Sequence, residues 1–547
     1  MIERSRTLTL FSSFAALLAA AVAPAAYAQS LPAPDPLPAR AEGEGPYARL
    51  VLRGAYMIDG AGAPTQGPVD IVVENDRIVE VKVVGAPKLA IDEARRPSTD
   101  GAEVLDISGM YLMPGFVDTH LHLHNMENGQ KVPSDYVAKL WLSHGVTSGR
   151  TVGSNNTAWM VETARRSAAN EITAPRMYVY PMFNSGSLGI PPATTPEEAR
   201  LHIRTMKEMG ASGVKFIGAP AELLWAALDE AEKVGLRSTM HHAQLSVTDA
   251  NVLDTSGHGL KSMEHWYGLP EAMFEDKRLQ RYPNDYVYHN EQHRFAEAGR
   301  LWRQAAAPGS AKWNEVMTTL IDRDFGLSPT FTAYLTSRDF MRMSRAIWHD
   351  DYTLPSLWEW YRPNRDAHGS YWFDWTLEDE VDWKENYRLW MQFVNEYKNR
   401  GGLVSVGSDA GYIYNLYGFG YVTEMELLRE AGFSSLEVIR AATLSGARQL
   451  GIDDEVGSVQ VGKKADFVIV AENPLENLHV LLGTGTIRLN DDTREVERVG
   501  GVRYVVKDGI VYDAQALRAD IRDMVAKEKE KRGIPRGPMP VETLKAE

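Results

Sequence analysis

Past residue 46 the chain breaks into short apolar runs separated by tight polar turns. "ARLVLRGAYMIDG", "VDIVVENDRIVEVKVV" and "AEVLDISGMYLMP" read as short strands that turn at Gly and Asn-Asp. The same texture returns near the other end, in "GSVQVGKKADFVIVAENP" (457–474) and "VRYVVKDGIVYD" (502–513). Both ends are therefore expected to build one small β-sandwich domain, from residues 47–110 and 451–515. Residues 111–450 are left as a single inserted domain, an arrangement eased by chain ends that lie close together. Residues 516–547 follow as a tail, in which "KEKEKRG" (527–533) reads as a solvated charge run.

Within 111–450 the apolar period switches back and forth between that of a strand and that of a helix. "GVTSGRTVG" (145–153) leads into the helical "AWMVETARRSAAN", and "RMYVYPMF" into "TPEEARLHIRTMKEMG". The Thr-Pro-Glu-Glu opening of the second helix supplies a cap and a proline at its start. "GVKFIG" leads into "AELLWAALDEAEKVG", and "RSTMHHAQ", "GLKSMEHW", "LSPTFTAYL" and "GLVSVGSDAG" supply four more strands. With "YLMPGFVDTHLH" first, eight strands alternate mostly with helices, the order of an α/β (β/α)8 TIM barrel. The interval between His265 and Asp409 is much longer than two strand–helix units need, so insertions are expected near 270–320 and 340–395. Ten of the 13 tryptophans fall between Trp266 and Trp390. They are expected to roof the barrel mouth, to form the insertions' own core, or to line a subunit interface.

The first 46 residues stand apart. Arg4 and Arg6, an apolar run from Leu8 to Ala26 and "AYA" before Gln29 have the layout of a secretory signal peptide, residues 1–28. Export across the inner membrane to the periplasm is the expectation. Residues 29–46, rich in proline and acid, read as a flexible leader. No later stretch reaches 18 uninterrupted apolar residues, so no membrane span is expected. A formal net charge of -15 offers no surface suited to nucleic acid. The chain has no cysteine, which excludes disulfides, thiolate nucleophiles and thiolate metal ligands. Any metal must sit on histidine, carboxylate or other oxygen groups, as zinc, manganese or iron do.

That restriction gives meaning to "YLMPGFVDTHLHLHN" (111–125). His120, His122 and His124 recur at period two, with Asp118 in the same parity, so a strand would aim them one way. Clustered imidazoles after a buried apolar run are unfavourable unless satisfied, and a metal satisfies them. The later strand ends add Lys215 in "GVKFIG", His241 and His242 in "MHHAQ", His265 in "SMEHW" and Asp409 in "VGSDAG". The C-terminal ends of barrel strands converge on one mouth, so these groups are expected to meet there.

The set "PGFVDTHLH", "VKFIG", "MHHAQ", "SMEHW" and "GSDAG", with the closing "AATLSGARQLGIDDEVGSVQVGKKADFVIVAENPL", resembles the amidohydrolase superfamily of metal-dependent hydrolases. It is most similar to the prolidase-like and imidazolonepropionase-like branches, and covers roughly residues 47–515. The resemblance implies two divalent metal ions, most simply zinc. His120, His122 and Asp409 would bind the more buried ion, and His242 and His265 the second. Lys215, carboxylated on its amine (N6-carboxylysine), would bridge them. The resemblance selects His242 over His241 because an His-Ala pair is usual in relatives; strand parity alone leaves both open. Asp409 would be general base and then general acid. His124 would support a ligand or face substrate, the alternative being a satisfied structural histidine. Tyr334, expected on the seventh strand, is a candidate for contacting the carbonyl or a substrate carboxylate, and Arg150 and Arg338 are weaker candidates for that carboxylate; a structural role is the leading expectation for all three.

The expected function is hydrolysis of the amide or peptide bond of a dipeptide or N-acyl amino acid, with a small molecule or short peptide as partner. The alternative is a cyclic-amide, lactone or ester hydrolase on the same centre. A fixed guanidinium or a tyrosine pair at the mouth would favour a substrate with a free carboxylate; a wholly apolar cavity would favour a neutral ester. Relatives commonly assemble, so the resemblance also implies a homo-oligomer.

Overall fold

The computed structural model describes residues 34–539, apart from 88, 124–125, 128–129, 154–155 and 366–369. The expected signal peptide, and His124 with its expected role, lie outside the described residues. Among the described residues no helix is long and apolar enough to cross a membrane.

The two ends of the chain do build one sheet. Leu50–Met57, Gln66–Glu74, Arg77–Val83, Glu103–Asp106 and Tyr111–Pro114 join Phe467–Val470, Tyr504–Lys507 and Ile510–Asp513 in a single eight-stranded sheet. The seam is antiparallel, pairing Leu112 with Ile469 and Pro114 with Phe467. Leu52, Ile71, Val73, Leu112, Phe467, Ile469 and Val506 form its buried face, which explains the alternation read from the sequence.

The run from Tyr111 is two strands rather than one. Tyr111–Pro114 belongs to the terminal sheet, and Phe116–Leu121, here β1, opens the inserted domain. Gly115 between them is obligatory, since a Cβ there would stand 2.1 Å from Thr147 Oγ1. Seven parallel partners follow: β2 (Val146–Val152), β3 (Arg176–Tyr180), β4 (Gly213–Phe216), β5 (Arg237–Met240), β6 (Ser262–Glu264), β7 (Gly326–Ser328) and β8 (Leu403–Val404). Each pairs with the next, β3 meeting β4 through Lys215 N–H donating to Pro181 O. Thr119 N–H to Val406 O at 3.0 Å and Asp409 N–H to His120 O at 3.0 Å return the last strand segment to β1. Helices alternate with the strands. Pro196–Met209 shows the expected start: Thr195 and Glu198 form a reciprocal capping box and Gly210 ends the helix in the left-handed region.

Two expectations change, and one choice is decided. Residues 34–46 are not a loose leader: Leu37 is buried, Arg40 donates to Asn170 O, and Glu44 pairs with Val511. The basic tail is the end of the helix Ala514–Lys531, and Lys529 is buried with its Nζ donating to the carbonyls of Asp350 and Gly537. The expected insertions each end in a helix that feeds the next strand, Ala311–Asp322 into β7 and Leu377–Asn399 into β8. Their tryptophans are core: Trp302, Trp313, Trp383 and Trp390 are fully buried against one another and Phe393, Phe331 and Trp266.

Candidate metal centre

β1 delivers two imidazoles to one carboxylate. His120 Nε2 lies 3.2 Å and His122 Nε2 2.8 Å from Asp409 Oδ1, as period two along a strand requires. His265 Nε2 lies 3.7 Å from Asp409 Oδ2. Ligand atoms of His120, His265 and Asp409 all fall within 4.8 Å of one another, close enough for one ion. Asp118, in the same parity, points elsewhere: its carboxylate accepts from the Ser408 hydroxyl at 2.7 Å and from the His120 N–H at 2.8 Å. It ties β1 to the segment that carries Asp409.

Two of these candidate ligands stand on strained backbone. His265 has φ 62° and Asp409 φ 49°, a region L-residues adopt at a cost of about 1–3 kcal/mol and one enriched at active sites. Side chains fix His265 in turn. Its Nδ1 is 2.6 Å from Thr330 Oγ1, which gives its own proton to Pro329 O at 2.6 Å. Thr330 must then accept from His265 Nδ1–H, which leaves the Nε2 lone pair toward Asp409. Glu424, fully buried, holds the same turn by accepting from the N–H groups of Phe331 and Thr332 at 3.0 and 2.8 Å.

The electrostatics suit a cation. Burial pushes His265 down to about 3, with Asp409 opposing, so its ring is neutral and able to ligate. Burial likewise holds His241 well below its ordinary range. Burial alone would raise the Asp409 carboxyl, but His120, His122 and His265 hold it well below the usual carboxylate range. His120 Nδ1 is buried without a partner among the described residues. The donors are nitrogen and oxygen with no sulfur, a set that fits zinc, manganese or iron.

Lys215 sits on the cavity floor as an ion pair. Its Nζ is 2.7 Å from Glu264 Oε2, and both are buried. Burial lowers the lysine pKa, with Glu264 working against it. Burial would raise Glu264, but Lys215 and Arg150 hold it far below the carboxylate range. Thr239 and Arg150 supply further hydrogen bonds at 2.6 and 3.2 Å.

Two placements differ from those expected, and two open alternatives are decided. His241, not His242, enters the cavity: its ring centroid lies 4.5 Å from that of His265. His242 turns away, with Nε2 2.9 Å from Thr255 Oγ1 and its ring against Gly268. The register explains this, because Thr239 pairs with Lys215 and residue 241 repeats its parity. Tyr334 is not on a strand; β7 stops at Ser328, Thr330 takes φ 53°, and Phe331–Arg338 is helical. Tyr334 still lines the cavity, 5.5 Å from His265 and stacked at 5.6 Å on Trp383. Arg150 is buried in β2, donating to Thr119 O and Glu264. Arg338 pairs with Glu430 and Asp339 outside this cavity.

The cavity measures about 330 Å³ and holds His120, His122, Lys215, His241, His265 and Asp409 together. Sequence reasoning missed Glu264, Thr330 and Arg294. Glu264 precedes His265 directly, and a carboxylate at the end of a barrel strand was a usable signal. Arg294 and Tyr288 come from the insertion after β6 and carried none.

The sequence model of the Amidohydrolase family matches residues 111–306 and 391–511, more than half of the chain. The chain belongs to the amidohydrolase family. The stretch outside the match, 307–390, holds most of the tryptophan-rich insertion. A dihydroorotase of Geobacter metallireducens is 28% identical over 218 residues, 38% of this chain and 45% of that protein. The chain thus spans about half the length, or less, of the curated relatives it matches first. A putative prolidase from Bifidobacterium longum superposes with TM-score 0.57 at 21% identity, covering 87% of this amidohydrolase and 99% of that chain. A Xaa-Pro dipeptidase with methionine bound in its active site gives 0.56 at 16%, covering 85% and 100%. At these identities the likeness is one of fold, the TIM barrel.

Proposed function

We propose that this amidohydrolase cleaves the amide or peptide bond of a dipeptide or N-acyl amino acid with the help of divalent metal. The observation that carries the reading is the meeting of His120, His122, His265 and Asp409 in a cavity whose wall also presents Arg294, Tyr267 and Tyr288. A guanidinium beside tyrosines suits a substrate with a free carboxylate.

In this reading His120, His122 and Asp409 would hold one divalent ion, most simply zinc. His241 and His265 would hold a second, with Lys215, carboxylated on its amine, as a further oxygen donor. Bound there, the ions supply Lewis acidity toward a carbonyl oxygen and lower the pKa of water. Carboxylation removes the ammonium charge but keeps one N–H, so the contact to Glu264 survives as a single hydrogen bond. Asp409, held ionised, takes a proton from the attacking water and passes it to the leaving nitrogen. Tyr334 stands beside His265 in the cavity, where its phenol would donate to the negative charge developing on the carbonyl oxygen. Arg294, its Nη2 held 2.9 Å from Glu291, receives the substrate carboxylate.

The dihydroorotase likeness supports a second reading, a cyclic amide opened by the same groups. The basic start, apolar run and small-residue site of residues 1–28 support export to the periplasm. Metal analysis of the purified mature chain, joined to a panel of dipeptides, N-acyl amino acids, cyclic amides and lactones, tests both readings. About two ions per chain with cleavage of N-acyl or X-Pro substrates is expected. Activity confined to cyclic amides moves the assignment to the second reading, and a chain that takes up no metal rejects both.

A further inference from the structure

Apolar side chains line the cavity on both sides, Phe295 and Ala333 as well as Val152, but its guanidinium stands on one side. Val152 closes β2, Met182 follows β3 and Ile217 follows β4, and all three line the cavity. The polar group from this arc is Lys215, on the floor and tied to Glu264. Tyr288 and Arg294 lie beyond β6, which stands across an eight-strand ring from β2. Arg294 is braced there over the rings of Tyr288 and Phe295, at 5.5 and 5.0 Å, and by Glu291. His120, His122 and Asp409 belong to the same cavity.

Resting on the amide-hydrolase reading, we infer that the substrate binds in one direction, with an apolar group against Val152, Met182 and Ile217 and its carboxylate against Arg294 and Tyr288. The substrate class is an amide with an apolar side chain or acyl group at one end and a free carboxylate at the other. Ile217 is 37% exposed, apolar surface that such a group covers on binding. A cavity of about 330 Å³ sits near the lower end of the usual range for ligand sites, so the apolar group is of side-chain size.

The test holds the carboxylate constant and varies the other end: N-acetyl, N-butanoyl and N-succinyl derivatives of one amino acid, measured as kcat/KM on the metal-loaded full chain. Burying a methylene on this wall raises kcat/KM about fourfold, so butanoyl is expected to exceed acetyl about 15-fold, and succinyl to fall below butanoyl by at least about tenfold. Ile217→Lys, at the exposed rim, is expected to reverse the order of butanoyl and succinyl; Met182→Lys serves if that variant does not fold. A flat series, or a wild-type preference for succinyl, overturns the inference. Calorimetric titration with the same three ligands separates the two levels of the argument. If no amide is cleaved, the reading of the reaction fails, while binding in the order butanoyl, acetyl, succinyl still supports the inferred orientation. Equal or undetectable binding of all three overturns it.

Discussion

At the seam between β8 and β1, backbone geometry places the site. His120 and His122 follow from strand alternation, and Asp409 is pinned by its own N–H on His120 O. Across the mouth, between β5 and β7, side chains from distant segments do the placing. His265 leans on Thr330, the Thr330 turn hangs from Glu424, and Tyr334 is wedged between Trp266 and Trp383 at 4.3 and 5.6 Å. A seam built mainly from backbone tolerates change around it, the Asp118 carboxylate that holds Ser408 excepted. An arc built from side chains transmits each substitution to the ligand it supports.

The largest effect is expected at the seam itself. Asp409→Asn keeps the shape and one oxygen ligand but removes the proton acceptor. Turnover should fall about 10²–10⁴-fold, the usual contribution of a positioned acid–base group. Metal content measured on the same sample should fall far less. Equal loss of metal and turnover would make Asp409 a ligand without a role in proton transfer.

The arc predicts a different signature. Thr330→Ala removes the acceptor that fixes the His265 tautomer, and metal affinity should weaken about 10- to 100-fold, as when other supporting partners of a ligand are lost. Excess metal should then restore most of the turnover. Thr330→Ser, which keeps the hydroxyl, should behave as the parent chain. If Thr330→Ala binds metal normally, the arc is no more dependent on side chains than the seam.

The same contrast explains what the sequence made legible. Strand alternation is local, so "HLH" and the cap in "TPEE" translated directly into structure. The shared sheet of the two chain ends was also readable, because both halves carry the same apolar alternation. The choice between His241 and His242 needed the register of β5 against β4, a long-range fact that no local pattern encodes. Tyr334 was misplaced for a related reason. "LSPTFTAYL" has strand composition, yet the Glu424 carboxylate offers two acceptors to the N–H groups of Phe331 and Thr332 and favours a helix there. Lys529 sits in a run of charges that would be solvated on an isolated helix, but the insertion near Asp350 covers it. Arg294 stands on a short helix, Glu291–Ala298, inside an insertion whose position depends on everything around it.

The adjacent histidines give the finest test of where the arc ends. His241→Gln removes a cavity ligand, and should cut metal content toward one ion per chain and lower turnover. His242→Gln should leave both unchanged, because that ring faces Thr255 and Gly268. Its effect lies in stability. Burial pushes His242 down to about 3 from an ordinary 6.5, with Glu264 opposing. Below pH 6.5 the unfolded chain takes up a proton that the folded chain refuses, so this residue removes stability as pH falls from 6.5 toward 3. Glutamine has no such titration. Melting temperatures recorded from pH 7 down to pH 4 should therefore drop less steeply for His242→Gln than for the parent chain. The slope will not vanish, since burial also pushes His144 to about 3 and His349 to about 4. A His242→Gln chain that lost metal would move the boundary of the site one residue along β5 and restore the ligand that the family resemblance implied.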